Sequence, residues 1–118
     1  MDEYHALVAF AALSQATRLR VFRRLVASEP EGVAAGELAR RLGVPPNTLS
    51  AHLAILAHAG LIESERQGRS IFYRANLARI REVASFLIMD CCGGRPELCA
   101  PLIADLSPCC PPEAHAHD

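Results

Sequence analysis

Residues 37–62 run Glu37-Leu38-Ala39-Arg40-Arg41-Leu42-Gly43-Val44-Pro45-Pro46-Asn47-Thr48-Leu49-Ser50-Ala51-His52-Leu53-Ala54-Ile55-Leu56-Ala57-His58-Ala59-Gly60-Leu61-Ile62. Leu38 and Leu42 stand four apart, the spacing of one helical face, and Gly43 stops that pattern. Val44-Pro45 then leads into a second helix, with Pro46 in the first turn, where a missing N–H costs nothing. Leu49, Leu53 and Leu56 repeat on one face of this second helix. Asn47, Ala51, Ala54 and His58 fall on the opposite face, with Thr48 and Ser50 flanking them. Helix, three-residue turn, helix is the order of a helix-turn-helix.

Upstream, Tyr4, Leu7, Val8, Ala11 and Ala12 recur at helical spacing and predict a short amphipathic helix ending near Leu13. Ser14 opens a second helix, whose apolar stripe is Leu19, Phe22, Leu25 and Val26 and which Glu29-Pro30-Glu31-Gly32 ends. Downstream, Ile62, Ser64 and Arg66 alternate in one run and Ile71 and Tyr73 in another, around Gln67-Gly68. That alternation predicts a two-stranded hairpin, the wing of a winged helix. Asn76 caps a last helix in which Leu77, Ile80, Val83, Ala84, Leu87 and Ile88 make a face too broad for a lone surface helix. Past Met89 no periodicity is evident. The expected fold is mainly α with a small β-hairpin, a winged helix-turn-helix over residues 1–90 followed by a cysteine-rich segment over 91–118.

The chain has 118 residues, enough for one domain. Its 51% hydrophobic content can supply a core. No apolar run approaches the roughly 20 residues of a membrane span, and residues 1–5 lack the basic start of a signal peptide. A cytoplasmic protein without membrane contact is the expectation. The net charge of −1 conceals a gradient: all twelve basic residues are arginines, and residues 14–81 hold eleven of them against five acids. A basic middle between acidic ends can attract a polyanion.

The outward face of the second helix of the pair suits that partner. Reading base edges in a major groove needs small and polar side chains, and Asn47, Thr48, Ser50, Ala51 and Ala54 are of that kind. Asn pairs bidentately with adenine, and Ser and Thr serve base or phosphate. Arg66 and Arg69 flank the hairpin turn, placed for phosphate or a minor groove. His52 lies on the flank of the apolar stripe, where a packed structural histidine and a DNA contact are both open readings.

Ala16-Thr17-Arg18-Leu19-Arg20, Glu37-Leu38-Ala39, Leu42-Gly43, Ser50-Ala51-His52-Leu53 with Leu56, Ala59-Gly60-Leu61-Ile62, and Gly68-Arg69 before Tyr73 resemble, in this order and spacing, the ArsR/SmtB family of metal-responsive winged-helix repressors. The likeness covers roughly residues 5–90. It implies a homodimer, joined through its first and last helices, that holds double-stranded operator DNA until an effector binds. Two familiar effector sites of the family lack their ligands here. The third-helix Cys-Val-Cys string has no cysteine counterpart in Glu37–Arg41, and residues 77–89 contain no Asp or His for the zinc site of the last helix.

All five cysteines lie past residue 90, as Cys91-Cys92, Cys99 and Cys109-Cys110. Clustered thiols in a reducing compartment bind metal or sense redox state. Cys91, Cys92 and Cys99 resemble the site of arsenite-responsive members, in which an adjacent pair at the end of the last helix is followed by a third cysteine. Three thiolates match the pyramidal demand of As(III), whereas structural zinc takes four ligands. The expected effector is therefore As(III), with Sb(III) and methylarsenite close in ligand demand. A thiol redox or persulfide switch, or buried small hydrophobes, are alternatives for the same cysteines. Cys109 and Cys110, with His115 and His117, are candidates for an accessory metal site, although Pro108, Pro111 and Pro112 favour a disordered tail. A thiol enzyme is disfavoured by the lack of Cys-x-x-Cys or a phosphate-cradling loop. Metal sequestration is a further alternative.

Overall fold

The computed structural model describes residues 1–90 and 95–106. By compactness the chain divides into Met1–Val83 and Ala84–Asp118. The first unit contains α1 (Glu3–Leu13), α2 (Ala16–Ala27), β1 (Val33–Ala34), α3 (Ala35–Leu42), α4 (Pro46–His58), β2 (Ile62–Gln67) and β3 (Ser70–Ala75). It also holds most of α5 (Leu77–Ser85). This is a mainly helical fold with a small antiparallel sheet, as expected.

The core is built around Val21, Leu25, Leu38, Leu49, Leu56 and Leu61, all essentially inaccessible. Burying side chains of this size contributes about 1.5–3 kcal/mol each. The stripe expected in α1 holds at Ala12 and the half-buried Val8 and fails at Tyr4, Leu7 and Ala11. Ala6, Ala9 and Ala12 face inward, while Tyr4 is 66% and Leu7 56% exposed. The helix is apolar nearly all round, so spacing alone cannot choose its buried face; the smallest side chains allow the close approach of α2 and α4. In α2 the inward face is Val21, Phe22 and Leu25, and both Leu19 and Val26 of the anticipated stripe are exposed. This helix starts at Ala16 rather than Ser14, because Gln15 Oε1 accepts the Arg18 amide N–H at 2.8 Å and caps it.

The pivot between α3 and α4 is a glycine-ended helix. Gly43 has φ +65°, its N–H donates to Arg40 O, and the Val44 N–H donates back to Ala39 O at 3.1 Å. This closure satisfies late carbonyls of α3 and turns the chain for α4 to begin at Pro46.

The sheet order is β1-β3-β2, antiparallel throughout. The hairpin forms as expected, but its two-residue turn is Gly68-Arg69, one position later than Gln67-Gly68: Gln67 still pairs with Ser70, Arg69 lies in the turn itself, and Gly68 at φ +65° takes the position that a type II′ turn gives to glycine. The added strand, β1, was not anticipated: two residues pair Val33 with Tyr73 and Ala34 with Phe72. Beside it, Arg74 Nη2 donates to Glu29 Oε1 at 3.0 Å, tying β3 to the loop that follows α2.

Asn76 caps α5 as expected, its Oδ1 accepting the Arg79 N–H at 3.2 Å. Its Nδ2 also donates to Gly60 O at 3.0 Å, and its backbone N–H to Leu61 O at 2.8 Å. In the second unit a π-helical turn, Phe86–Asp90, is followed by α6 (Pro96–Leu106). The expectation of no regular structure past Met89 is thus wrong for 96–106. Pro96 starts this helix, where a proline is tolerated, and the internal Pro101 disguised it. Among the described residues no helix is long and apolar enough to cross a membrane.

Candidate nucleic-acid interface

The two faces of α4 are cleanly separated. Leu49, Leu53 and Leu56 are buried, whereas Asn47, Thr48, Ser50, Ala51 and Ala54 are all exposed. The outward face therefore carries short side chains only around its centre, and no bulky group keeps it from a groove floor. The exceptions are Ile55, 43% exposed, and the exposed His58, both in the C-terminal half.

Two of these side chains are already engaged. Asn47 Oδ1 accepts the Thr48 amide N–H at 3.0 Å, inside the first turn, where that N–H has no helical partner. Its side-chain NH₂ is left as a donor, and a bidentate pairing with adenine requires the oxygen to leave Thr48. The Ser50 hydroxyl donates to Pro46 O at 3.0 Å, so toward a ligand Ser50 presents lone pairs as an acceptor.

His52 is half-buried, and its Nδ1 accepts from Arg18 Nη1 at 3.3 Å. The geometry gives His52 a structural partner through Nδ1 and leaves Nε2 without a hydrogen bond among the described residues. An arginine only donates, so the proton of a neutral His52 ring sits on Nε2. Arg18 also donates through Nε to Ala12 O at 2.7 Å, and its Nη2 lies 3.5 Å from Ala11 O. One guanidinium thus closes the carbonyl end of α1 and holds the side of α4. This function was missed in the sequence: Arg18 stood in the Ala-Thr-Arg string, but its partner His52 is 34 positions away.

On the wing, cross-strand pairing puts Ser64 opposite Tyr73 and Arg66 opposite Ile71, on the face that carries buried Ile62 and Ala75 at its base. Glu63 and Glu65 share the other face with Arg74 and Phe72. Arg66 and Arg69 are exposed and have no ion-pair partner among the described residues. They can meet phosphate without first breaking a salt bridge. The arginines of α3 differ, since Glu37 binds both Arg40 and Arg41, with Arg41 Nε at 2.6 Å from Glu37 Oε2. These two hydrogen bonds hold the Glu37 carboxyl below its ordinary range.

Cys99 lies within α6. Cys91, Cys92, Cys109 and Cys110 lie outside the described residues, as do His115 and His117. Among the described residues no group of three or more His, Cys, Asp or Glu is placed to hold a metal ion.

A family model described as a helix-turn-helix domain matches residues 13–65. The HTH-type transcriptional regulator KmtR of Mycobacterium tuberculosis is 36% identical over 74 residues, which are 63% of this chain and 55% of that relative's length. The biofilm growth-associated repressor of Xylella fastidiosa is 32% identical over 80 residues, 68% of each chain. Among solved structures, an ArsR-like transcriptional regulator from Rhodococcus sp. RHA1 superposes with a TM-score of 0.68 at 32% identity, covering 87% of this chain and 91% of its own. The homodimeric winged helix-turn-helix DNA-binding domain Mb0332 from Mycobacterium bovis gives a TM-score of 0.57 at 25% identity, covering 73% and 83%. With the order of elements, the two-faced α4 and the short wing on the same chain, these likenesses place it: the protein belongs to the ArsR family of winged helix-turn-helix transcriptional regulators.

Proposed function

We propose that the protein is a homodimeric repressor that binds operator DNA and releases it when As(III) joins the thiolates of Cys91, Cys92 and Cys99. The DNA half of this reading rests above all on α4, whose exposed face consists of Asn47, Thr48, Ser50, Ala51 and Ala54 over a buried leucine seam. In it, α4 enters the major groove and the unpaired Arg66 and Arg69 of the wing take phosphate or minor-groove contacts.

The dimer is supported by the exposed Tyr4 and Leu7 on α1, bulky apolar groups that a monomer leaves in water. A two-fold axis would set the two α4 helices about 34 Å apart, one turn of DNA. The As(III) half rests on donor chemistry: three thiols within nine residues match a thiophilic ion that takes three sulfurs. Release requires As(III) to bind the DNA-free conformation more tightly, and couplings of about 1–3 kcal/mol are typical of such linkage.

Fluorescence anisotropy of a labelled promoter fragment at fixed salt tests both halves. As(III) is titrated into wild type and into Cys91→Ser, Cys92→Ser and Cys99→Ser, with Sb(III), zinc and an oxidant as comparisons. Release by As(III) that each serine variant abolishes is the expected result. Release by oxidant alone, with Cys99→Ser still responding, would replace the metal ion by a redox switch at the other two thiols.

A further inference from the structure

We propose that Arg20, Arg23 and Arg24 of α2 form a second phosphate-binding surface for DNA, outside both the helix-turn-helix and the wing. The proposal rests on the DNA-binding reading above and extends it to an element that reading does not use.

The three arginines occupy the side of α2 opposite buried Val21, Phe22 and Leu25. All three are exposed, and none of their side chains forms an ion pair or a hydrogen bond among the described residues. This contrasts with Arg18 on the same helix, and with Arg40, Arg41, Arg74 and Arg79, each of which has a partner. Helix α2 contains no Asp or Glu at all. Arg20 and Arg23, and Arg20 and Arg24, stand at i,i+3 and i,i+4, where like charges destabilise a helix. A protein anion that neutralised them would be expected if their role were only structural.

Their position indicates the partner. With Ala27 they line an open recess of about 310 Å³ whose remaining wall is Leu42. Leu42 is the last residue of α3, directly before the Gly43 turn that delivers α4. Helix α2 also packs on both α3 and α4. The cations are thus held on the body that carries the recognition face, beside its turn. Guanidinium groups suit phosphate oxygens through paired N–H donors, and a recess without a carboxylate leaves them available. Duplex phosphates beside the groove that α4 enters are the polyanion this arrangement fits. Because phosphate carries no sequence information, the surface adds affinity and salt dependence without discrimination.

The test measures binding to the operator fragment and to a scrambled duplex across a salt series. The proteins are wild type, the triple variant Arg20→Gln/Arg23→Gln/Arg24→Gln, the corresponding triple Lys variant, Arg81→Gln and Asn47→Ala. The Gln triple is expected to weaken both duplexes by the same factor and to flatten the slope of log K against log salt by about 0.9 for each phosphate that is no longer neutralised. The Lys triple should keep most of that slope. The Lys triple should melt with wild type and the Gln triple no lower than wild type, since the three side chains hold no partner among the described residues and Gln relieves the like-charge pairs of α2. Wild-type slope in the Gln triple, or an equal weakening per charge in Arg81→Gln, overturns the surface as a phosphate site. If wild type binds operator no better than scrambled DNA, the operator reading fails by itself, and the slope on scrambled DNA still decides the arginine surface.

Discussion

Arg18 shows how much one side chain carries in a fold of this size. Its guanidinium serves the Ala12 carbonyl and His52 together, so removing it strands acceptors in three helices' common corner. Arg18→Ala is expected to cost about 1–3 kcal/mol in urea unfolding, the range for leaving partly buried polar groups unsatisfied. Arg18→Lys should recover only part of this, because an ammonium lacks the fork that reaches two directions at once. Glu37 supports a prediction of a different kind. Its carboxyl is lowered from the usual 4.5 by hydrogen bonds from Arg40 and Arg41. A depressed folded value means that the ionised form is bound more tightly when folded; its contribution is complete above the ordinary value and is lost as pH falls through the folded one. Melting temperatures of wild type and Glu37→Gln should therefore converge as the solution is acidified from the ordinary carboxyl value of 4.5 through the lower folded one, with wild type higher at neutral pH. Equal separation at all pH values would remove the Glu37 pairs from the stability of α3.

At the scale of elements, α4 separates the two consequences of mutation. Leu53→Ala is expected to lose about 2–5 kcal/mol of stability, as truncation of a buried leucine does. Asn47→Ala should leave stability within about 0.5 kcal/mol, while relaxing sequence preference at one base pair by about 1–3 kcal/mol. Denaturant unfolding and competition binding on the same two proteins check both statements. Helices α3 and α4 were legible in the sequence because leucines at intervals of three and four are bracketed by Gly43, Pro46 and Gly60, each placed where a helix starts or stops. The hairpin was legible for a similar reason, an alternation centred on Gly68. Strand β1 was not, since two residues have no period, and its existence depends on Tyr73 and Phe72, some forty positions away. The inward face of α1 was misread because its apolar residues surround the helix and volume, not hydrophobicity, selects Ala6, Ala9 and Ala12. Helix α6 was hidden by Pro101, a residue that normally argues against a helix.

For the whole molecule, the exposed Tyr4 and Leu7 make α1 the place where self-association can be tested. In the proposed dimer, Leu7→Glu is expected to raise the dissociation constant at least tenfold in sedimentation equilibrium, and to weaken the proposed operator binding in parallel, because two recognition helices then no longer dock as a unit. Unchanged association would move the dimer face away from α1. The candidate site divides along the same lines in its legibility: the groups proposed for DNA lie on α4 and the wing hairpin, whose periods the sequence displays, while the role of Arg18 depends on His52, distant in the chain. The two-sidedness of α4 has a consequence for how such a protein changes over generations. Asn47, Thr48, Ser50, Ala51 and Ala54 contribute nothing to the interior, whose seal is Leu49, Leu53 and Leu56. Substitutions among the former can accumulate without taxing the fold, so a duplicated copy is free to drift toward a new target sequence while its scaffold stays the same.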